Sequence, residues 1–454
     1  MVSKEIYALI LAAGKGTRMK SKLNKVLHPV CGLSMIEQVI LQLKRMSIHQ
    51  IGIVVGHQHE QVISALDSSY RYIEQKEQLG TGHAVKVAKD WLADKQGTTL
   101  VLCGDTPLLT TATLSKVIDL HTANKAACTI LTAIADNPTG YGRIIRDQDG
   151  KVIKIVEQKD ASEKERGVKE VNSGIYCFDN QKLFNALERI TDNNAQNEYY
   201  LTDVIEILNG DNQTILPCVA EDFDEIVGVN DRVALAKANE ILRRRILQYW
   251  MRAGVTIIDP NNTYIDSLVE LGQDIVIYPG TYLRGLTKVA DDCSIGPNTE
   301  IEDCTVGAAS IIKQSVVLKS DIGKSTHVGP FAYIRPGSQI GDDVKIGDFV
   351  EIKNSKIGNS SKVSHLSYIG DAVIGNDVNV GCGSITVNYD GKNKHQTTID
   401  DGAFIGCNSN LIAPVTVKQN AFVAAGSTIT KDVPENSLAF ARSRQTNKLN
   451  YRKD

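Results

Sequence analysis

Residues 255 to 429 repeat with a period of six, and few architectures accept that period. Aliphatic side chains recur at Ile265, Leu271, Ile277, Leu283, Val289, Ile295 and Ile301, and again at Ile322, Val328, Ile334, Ile340, Ile346 and Ile352. The register slips to Ile357, Val363 and Ile369, slips again to Ile374 and Val380, and resumes at Ile399, Ile405, Leu411, Val417, Val423 and Ile429. A helical face repeats every 3.6 residues and a half-buried strand every two, so six matches neither alone. One inward aliphatic per short strand, followed by a turn, describes a parallel β-helix of hexapeptide units. Several of the aliphatics precede glycine, as in Ile340-Gly341, Ile346-Gly347, Ile369-Gly370 and Ile405-Gly406, which predicts turns made at positive φ. The 36 glycines against only 6% aromatic residues agree with tightly turning backbone.

The length of 454 residues leaves room for two or three domains. With 42% hydrophobic and 23% charged residues the chain is an ordinary globular one. A formal net charge of -3 gives no pull towards nucleic acid or anionic membrane, so neither is an expected partner. The cysteines (Cys31, Cys103, Cys128, Cys177, Cys218, Cys293, Cys304, Cys382 and Cys407) are scattered and odd in number, without a C-x-x-C pair. They read as reduced thiols of a cytoplasmic protein. Lys4 and the apolar run Ile6 to Ala13 imitate a short secretory leader, but the run leads directly into a glycine-rich motif. No stretch approaches the ~20 apolar residues of a membrane span.

Residues 1–229 alternate apolar runs with helical patterns: strands at Tyr7 to Ala13, Gln50 to Val55 and Thr99 to Leu102, helices at Met35 to Met46 and Ala84 to Leu92. Alternation of this kind predicts a parallel, doubly wound α/β sheet with ligands beyond the carboxyl ends of its strands. Residues 230–252 read as a linker helix, with Leu235, Ile241, Leu242, Ile246 and Tyr249 on one side and Arg243 to Arg245 on a solvated one. Residues 253–454 hold the repeats and a basic tail with Arg442, Arg444, Lys448, Arg452 and Lys453. Val387 to Thr398 breaks the hexads with polar residues and is expected to protrude as a loop.

The motif Leu11-Ala12-Ala13-Gly14-Lys15-Gly16-Thr17-Arg18-Met19 follows the first strand, with Lys25 six residues further on. Gly14 and Gly16 let backbone N–H groups approach phosphate oxygens, while Arg18 and Lys25 supply positive charge. The spacing is neither that of a P-loop nor that of the dinucleotide fingerprint. Leu100 to Cys103 then runs into Gly104-Asp105, an acid at a strand end suited to Mg²⁺ bound between phosphates. Gln75 with Gly80-Thr81-Gly82 suits a flat pyrimidine, uridine or thymidine, and the bland alternative is a turn before a helix.

This extended motif resembles the signature of the sugar-phosphate nucleotidyltransferases, and the repeats resemble the left-handed hexapeptide β-helix family. Together, over essentially the whole chain, they are similar to the bacterial bifunctional N-acetylglucosamine-1-phosphate uridyltransferase and glucosamine-1-phosphate acetyltransferase family. The resemblance implies a Rossmann-like nucleotidyltransferase domain followed by a left-handed parallel β-helix. It places UTP and the sugar at Leu11, Ala12, Ala13, Gly14, Lys25, Gln75, Gly80, Thr81, Cys103, Gly104, Asp105, Gly142, Glu157, Asn172 and Asn230. Asp105 and Asn230 would bind Mg²⁺, and Arg18 and Lys25 would neutralise charge.

Within the repeats Arg335 and Lys353 lie 18 residues apart, about one coil, and should stack on one face. His365 offers a base of suitable acidity for acetyl transfer to an amine. The resemblance places glucosamine-1-phosphate at Arg335, Lys353, Tyr368 and Asn379, with His365 as base. It places acetyl-CoA at Cys382, Asn388, Tyr389, Cys407, Ala425 and Arg442, between subunits of a homotrimer. Cys382 stands where that family commonly has Ala, and Cys407 where it commonly has Ser. Glu351, close to Lys353 in sequence, is read as the orienter of His365. The repeats contain His327, His365 and His395, with no closely spaced pair for a three-His zinc site. The alternative is a nucleotidyltransferase of one activity whose β-helix serves only assembly.

Overall fold

The six-residue spacing becomes a three-sided coil in the computed structural model, which describes residues 5–449, 451 and 452. Lys4 of the leader reading and Lys453 of the basic tail lie outside the described residues. Three parallel sheets of 11, 10 and 9 strands form the faces of the prism. The first begins at Thr256–Ile257, the second at Thr263–Ile265 and the third at Glu270–Leu271. Eleven strands at about 4.8 Å spacing give a height of about 48 Å.

The expected aliphatics fill its axis; Leu271 alone is only partly buried. The gap left by the sequence reading between Ile301 and Ile322 is filled by Val306, Ile312 and Val317, each buried in the same core. These escape a strict hexad because 301 to 306, 312 to 317 and 317 to 322 are steps of five residues.

The glycines after the aliphatics have a different purpose from the one expected. Gly341, Gly347, Gly370 and Gly406 are not among the residues at positive φ; the corners are turned by Asp343, Phe349, Ser360 and Asp377, at φ of 55°, 55°, 59° and 54°. Glycine is needed at 347 because the next coil passes so close that a Cβ would lie 1.9 Å from the Ser364 carbonyl oxygen. That contact is backbone and cannot swing away. Gly347→Ala is therefore expected to destabilise the β-helix by about 3 kcal/mol or more. Its thermal midpoint should fall on the order of 10 °C, measurable by calorimetry.

The other unit is a nine-stranded sheet. Its main path runs Ile215–Val219, Cys128–Ile134, Glu170–Asp179, Gly97–Cys103, Glu5–Ala12, Gln50–Val55, Arg71–Glu74. Glu170–Asp179 runs antiparallel to both neighbours, so the sheet is mixed and not wholly parallel as expected. The hairpin Arg143–Arg146 and Val152–Val156 attaches to that strand. The expected helix over Ala84 to Leu92 is two short helices, Thr81–Lys86 and Lys89–Leu92. Met35–Arg45 is a single helix, closed at its start by a Ser34/Glu37 capping box.

The chain divides between Leu242 and Arg243, inside the helix Arg232–Arg252. In the first unit Leu235, Ala238 and Ile241 pack with Met19, Val30 and Met35. In the second, Leu247 joins the β-helix core, with Ile246 and Trp250 against it, while Tyr249 is exposed, contrary to the expected apolar side. Arg243 is also not simply solvated: its guanidinium lies 4.7 Å from the centre of the Tyr264 ring, which stacks on Tyr282.

Candidate active sites

In the first unit, Glu5–Ala12 lies between Gly97–Cys103 and Gln50–Val55, so chain connections diverge to either side of it. The loops after the first two strands emerge at one edge, where open α/β sheets bind ligands. A cavity of about 450 Å³ opens there, lined by Leu11, Ala12, Ala13, Gly14, Lys15, Lys25, Gln75, Gly80, Thr81, Cys103 and Asp105, with Gln78 and Glu198 among the rest.

Lys25 is the hub. Its ammonium pairs with the Asp105 carboxylate and donates to Asn230 Oδ1 at 2.7 Å, and Arg18 Nη2 donates to the same Oδ1 at 2.8 Å. Gly16 has φ +59°, and a Cβ there would lie 2.6 Å from Lys25 Cβ, so glycine allows the loop to close over the lysine stem. At Gly14 a Cβ would meet nothing within 4 Å, so its smallness leaves the rim open and serves no packing. Gly104 N donates to the Leu11 carbonyl at 3.0 Å, tying the two loops together.

Gln75 is buried, with Nε2 donating to the Gly80 carbonyl at 3.1 Å and 3.1 Å from His83 Nδ1. Thr81 Oγ1 accepts from Leu201 N at 3.1 Å. Gly142, Glu157 and Asn172 form a second group: a Cβ at Gly142 would lie 3.4 Å from Glu157 Oε1 and 3.5 Å from Asn172 Cβ. Burial raises the Glu157 carboxyl above its usual range, against a hydrogen bond from Thr202. Asn172 donates to the Tyr176 hydroxyl at 2.7 Å beside a bulge in its strand. Cys103 Sγ contacts the Gly174 carbonyl at 3.6 Å, and burial pushes its thiol up to about 12. That thiol is inert, a packing group next to the cavity.

In the second unit, in-register stacking builds the site. Tyr333, Glu351, Tyr368 and Ile385 follow one another up the second face. Arg335 Nη1 donates to Glu351 Oε1 at 2.9 Å, which holds the guanidinium above its ordinary value. Glu351 is thus the partner of Arg335 and not the orienter of His365. One coil above Arg335, Lys353 Nζ lies 3.2 Å from Asp371 Oδ2, which also accepts from Asn388 Nδ2 at 2.5 Å. Burial alone would raise Asp371, but bonds from Asn354, Asn388 and Lys353 hold it below the usual carboxylate range.

Sequence reasoning missed Lys394, which lies in the Val387 to Thr398 loop. The neighbouring Lys353 ammonium holds it below the ordinary lysine value, and the charge of Arg335 adds to that effect. Three cations crowded on one patch mark a place for an anion. The loop itself leaves the coil after Ile385–Val387 and returns at Thr397–Ile399, with Tyr389 bridged to Lys394.

Asn379 is not brought to this cluster: it sits on the first face, between Lys362 and Phe404. His365 ends a strand of that same face, and its Nδ1 lies 2.5 Å from Asp348 Oδ1. The registers Val363 to Val380, Val380 to Ile405 and Ile405 to Val423 put His365, Cys382, Cys407 and Ala425 in one file. Arg442 closes it, donating from Nη1 to the Ala425 carbonyl at 2.8 Å. Asn388 belongs instead with Asp371 and Lys353, and Tyr389 is exposed, its hydroxyl donating to the Gly391 carbonyl at 2.7 Å.

A nucleotidyl transferase family model matches residues 7–255, and a bacterial transferase hexapeptide (six repeats) model matches residues 319–354. Fold and sites therefore define a two-unit transferase: a Rossmann-like nucleotidyltransferase followed by a left-handed hexapeptide β-helix. The Bifunctional protein GlmU of Geobacillus sp. (strain WCH70) is 60% identical over 445 residues, covering 98% of this chain and 97% of that protein. Those of Bacillus velezensis (strain DSM 23117 / BGSC 10A6 / LMG 26770 / FZB42) and Bacillus subtilis (strain 168) are 58% and 56% identical, each over 99% of this chain and 98% of the relative. The chain belongs to the bifunctional GlmU family. Membership makes it a bifunctional enzyme, acetyltransferase and uridyltransferase in one polypeptide, and disfavours a purely structural β-helix.

Proposed function

We propose that the β-helix acetylates glucosamine-1-phosphate from acetyl-CoA and that the first unit then joins the product to a uridylyl group from UTP. The observation that carries this reading is the file of His365, Cys382, Cys407, Ala425 and Arg442, since a scaffold alone needs no imidazole at the foot of an open file.

For acetyl transfer, the cations Arg335, Lys353 and Lys394 with Tyr368 take the sugar phosphate. His365 Nε2 accepts a proton as the sugar amine attacks the thioester carbon, and CoA leaves as the thiol. Acetyl-CoA lies along the file, with Asn388 and Tyr389 at its side. Asn379, on another face from Arg335, serves the sugar from a neighbouring copy in a homotrimer.

For uridylyl transfer, an oxygen of the sugar phosphate attacks the α-phosphorus of UTP and pyrophosphate leaves. Gln75, Gly80 and Thr81 hold uracil; Gly142, Glu157 and Asn172 hold the acetamido sugar; the Gly14 loop, Arg18 and Lys25 hold the phosphates. The Asp105 carboxylate and Asn230 amide oxygen meet at one ammonium, so two hard oxygen donors already converge on a cation. That donor pair fits Mg²⁺, which takes few protein ligands beside phosphate and water. When bound, Mg²⁺ neutralises charge on the phosphates.

The free cysteines support a cytoplasmic setting. Among the described residues no helix is long and apolar enough to cross a membrane. The test is mass spectrometry of products from glucosamine-1-phosphate, acetyl-CoA, UTP and Mg²⁺. UDP-N-acetylglucosamine should appear only when acetyl-CoA is present. Uridylation of supplied N-acetylglucosamine-1-phosphate without any acetylated sugar would refute the acetyl half.

A further inference from the structure

The short contact between His365 and Asp348 is unused by the scheme above. Asp348 ends the strand Lys345–Asp348, and His365 ends the strand stacked directly on it, the two being register partners. The pairing is local and specific: His365 Nδ1 and Asp348 Oδ1 are 2.5 Å apart, with side chains 57% and 38% exposed. The carboxyl of Asp348 is held below its usual range, first by its hydrogen bond with His365, and Lys345 on the same strand adds to this. A carboxylate accepts only, so a neutral His365 in this pair carries its proton on Nδ1. Its lone pair then sits on Nε2, the ring nitrogen opposite the carboxylate.

We propose that Asp348 is the positioning residue of the acetyltransferase site, fixing the tautomer and ring orientation in which His365 Nε2 takes the proton from the sugar amine. This rests on the reading of His365 as the base. The file above His365 runs away from Asp348 towards Cys382 and Cys407, so Asp348 anchors the ring from the coil below. Its side-chain contact is with His365, and the hydrogen bonds of Arg335, Lys353 and Arg442 go to other groups. Its effect should therefore fall on the chemical step and spare the binding of either substrate.

The test compares Asp348→Ala, Asp348→Glu and His365→Ala in the full chain, measuring kcat and KM for acetyl transfer and the thermal midpoint of the β-helix. Asp348→Ala should lower kcat about tenfold to a hundredfold, part of the 10²–10⁴ that a general base contributes. KM for both substrates and the thermal midpoint should stay at the wild-type values, and Asp348→Glu should recover most of the rate. The proposal is overturned if Asp348→Ala keeps kcat within about twofold of wild type, or if its loss lies in KM. Loss of kcat accompanied by a lowered thermal midpoint and no recovery in Asp348→Glu overturns it as well. His365→Ala separates the two readings: if it keeps acetyl transfer, the assignment of the base fails; if it loses the activity while Asp348→Ala does not, only the positioning role fails.

Discussion

Asp105→Ala is expected to lower uridylyl transfer about a thousandfold while leaving acetyl transfer intact, because one carboxylate does two things in the cavity. It pairs with the Lys25 ammonium, and with Asn230 it presents the converging oxygens that suit Mg²⁺. Both side chains of the pair are largely buried, at 13% and 23% exposure, so the ammonium cannot simply turn to water when its partner is removed. Truncation leaves a charge without its counter-charge and reduces the hard oxygen donors to a single amide. The measurement is pyrophosphate release with supplied N-acetylglucosamine-1-phosphate across a Mg²⁺ titration. The variant should need far more Mg²⁺ and still not reach the wild-type rate. Full activity at ordinary Mg²⁺ would move the metal away from Asp105 and leave the ion pair with Lys25 as a structural contact.

Much of this was legible in the residues because a β-helix writes its core in a single dimension. Each inward position is announced by an aliphatic one strand later, so Ile334 or Ile405 needed no tertiary information. Val306, Ile312 and Val317 were lost because a coil can shorten a strand step by one residue at a corner, and a fixed period cannot follow that. The glycine at 347 was read as a turn former, whereas its cause is the coil above it, which the local sequence does not contain. In the first unit the antiparallel strand Glu170–Asp179 was missed for a related reason: a buried apolar run does not encode the direction in which it is inserted.

The sites divide along the same line. Lys25 was found because it follows the glycine-rich motif in sequence, and Asp105 because it stands at the end of a strand. Asp348 was within reach of the stacking argument already applied to Arg335 and Lys353: stepping one coil down from His365 arrives at it, with 17 residues because that coil is short by one. Glu351 was chosen by sequence proximity, and geometry gives it to Arg335. Lys394 lies in the loop that interrupts the repeats, where no period assigns a face.

His365→Ala carries the other large effect, a loss of about 10²–10⁴ in acetyl transfer with uridylyl transfer unchanged. Separation of the two activities follows from the division of the chain: His365 belongs to the unit after Leu242, and the nucleotide cavity is built wholly before it. An amine attacking a thioester must lose a proton, and the imidazole at the foot of the Cys382, Cys407 and Ala425 file is the group next to the proposed thioester that can take it. Arg335 and Lys353 are cations near Tyr368, with Lys394 beside them as the proposed anion site, and Asp371 is engaged by Lys353, Asn354 and Asn388. Acetyl-CoA binding, measured by calorimetry, should therefore survive in His365→Ala while turnover does not. In the coupled reaction the variant should consume N-acetylglucosamine-1-phosphate at the normal rate but make no UDP-N-acetylglucosamine from glucosamine-1-phosphate. Retained acetyl transfer would mean that the amine reaches the thioester already deprotonated and that the file works by alignment alone.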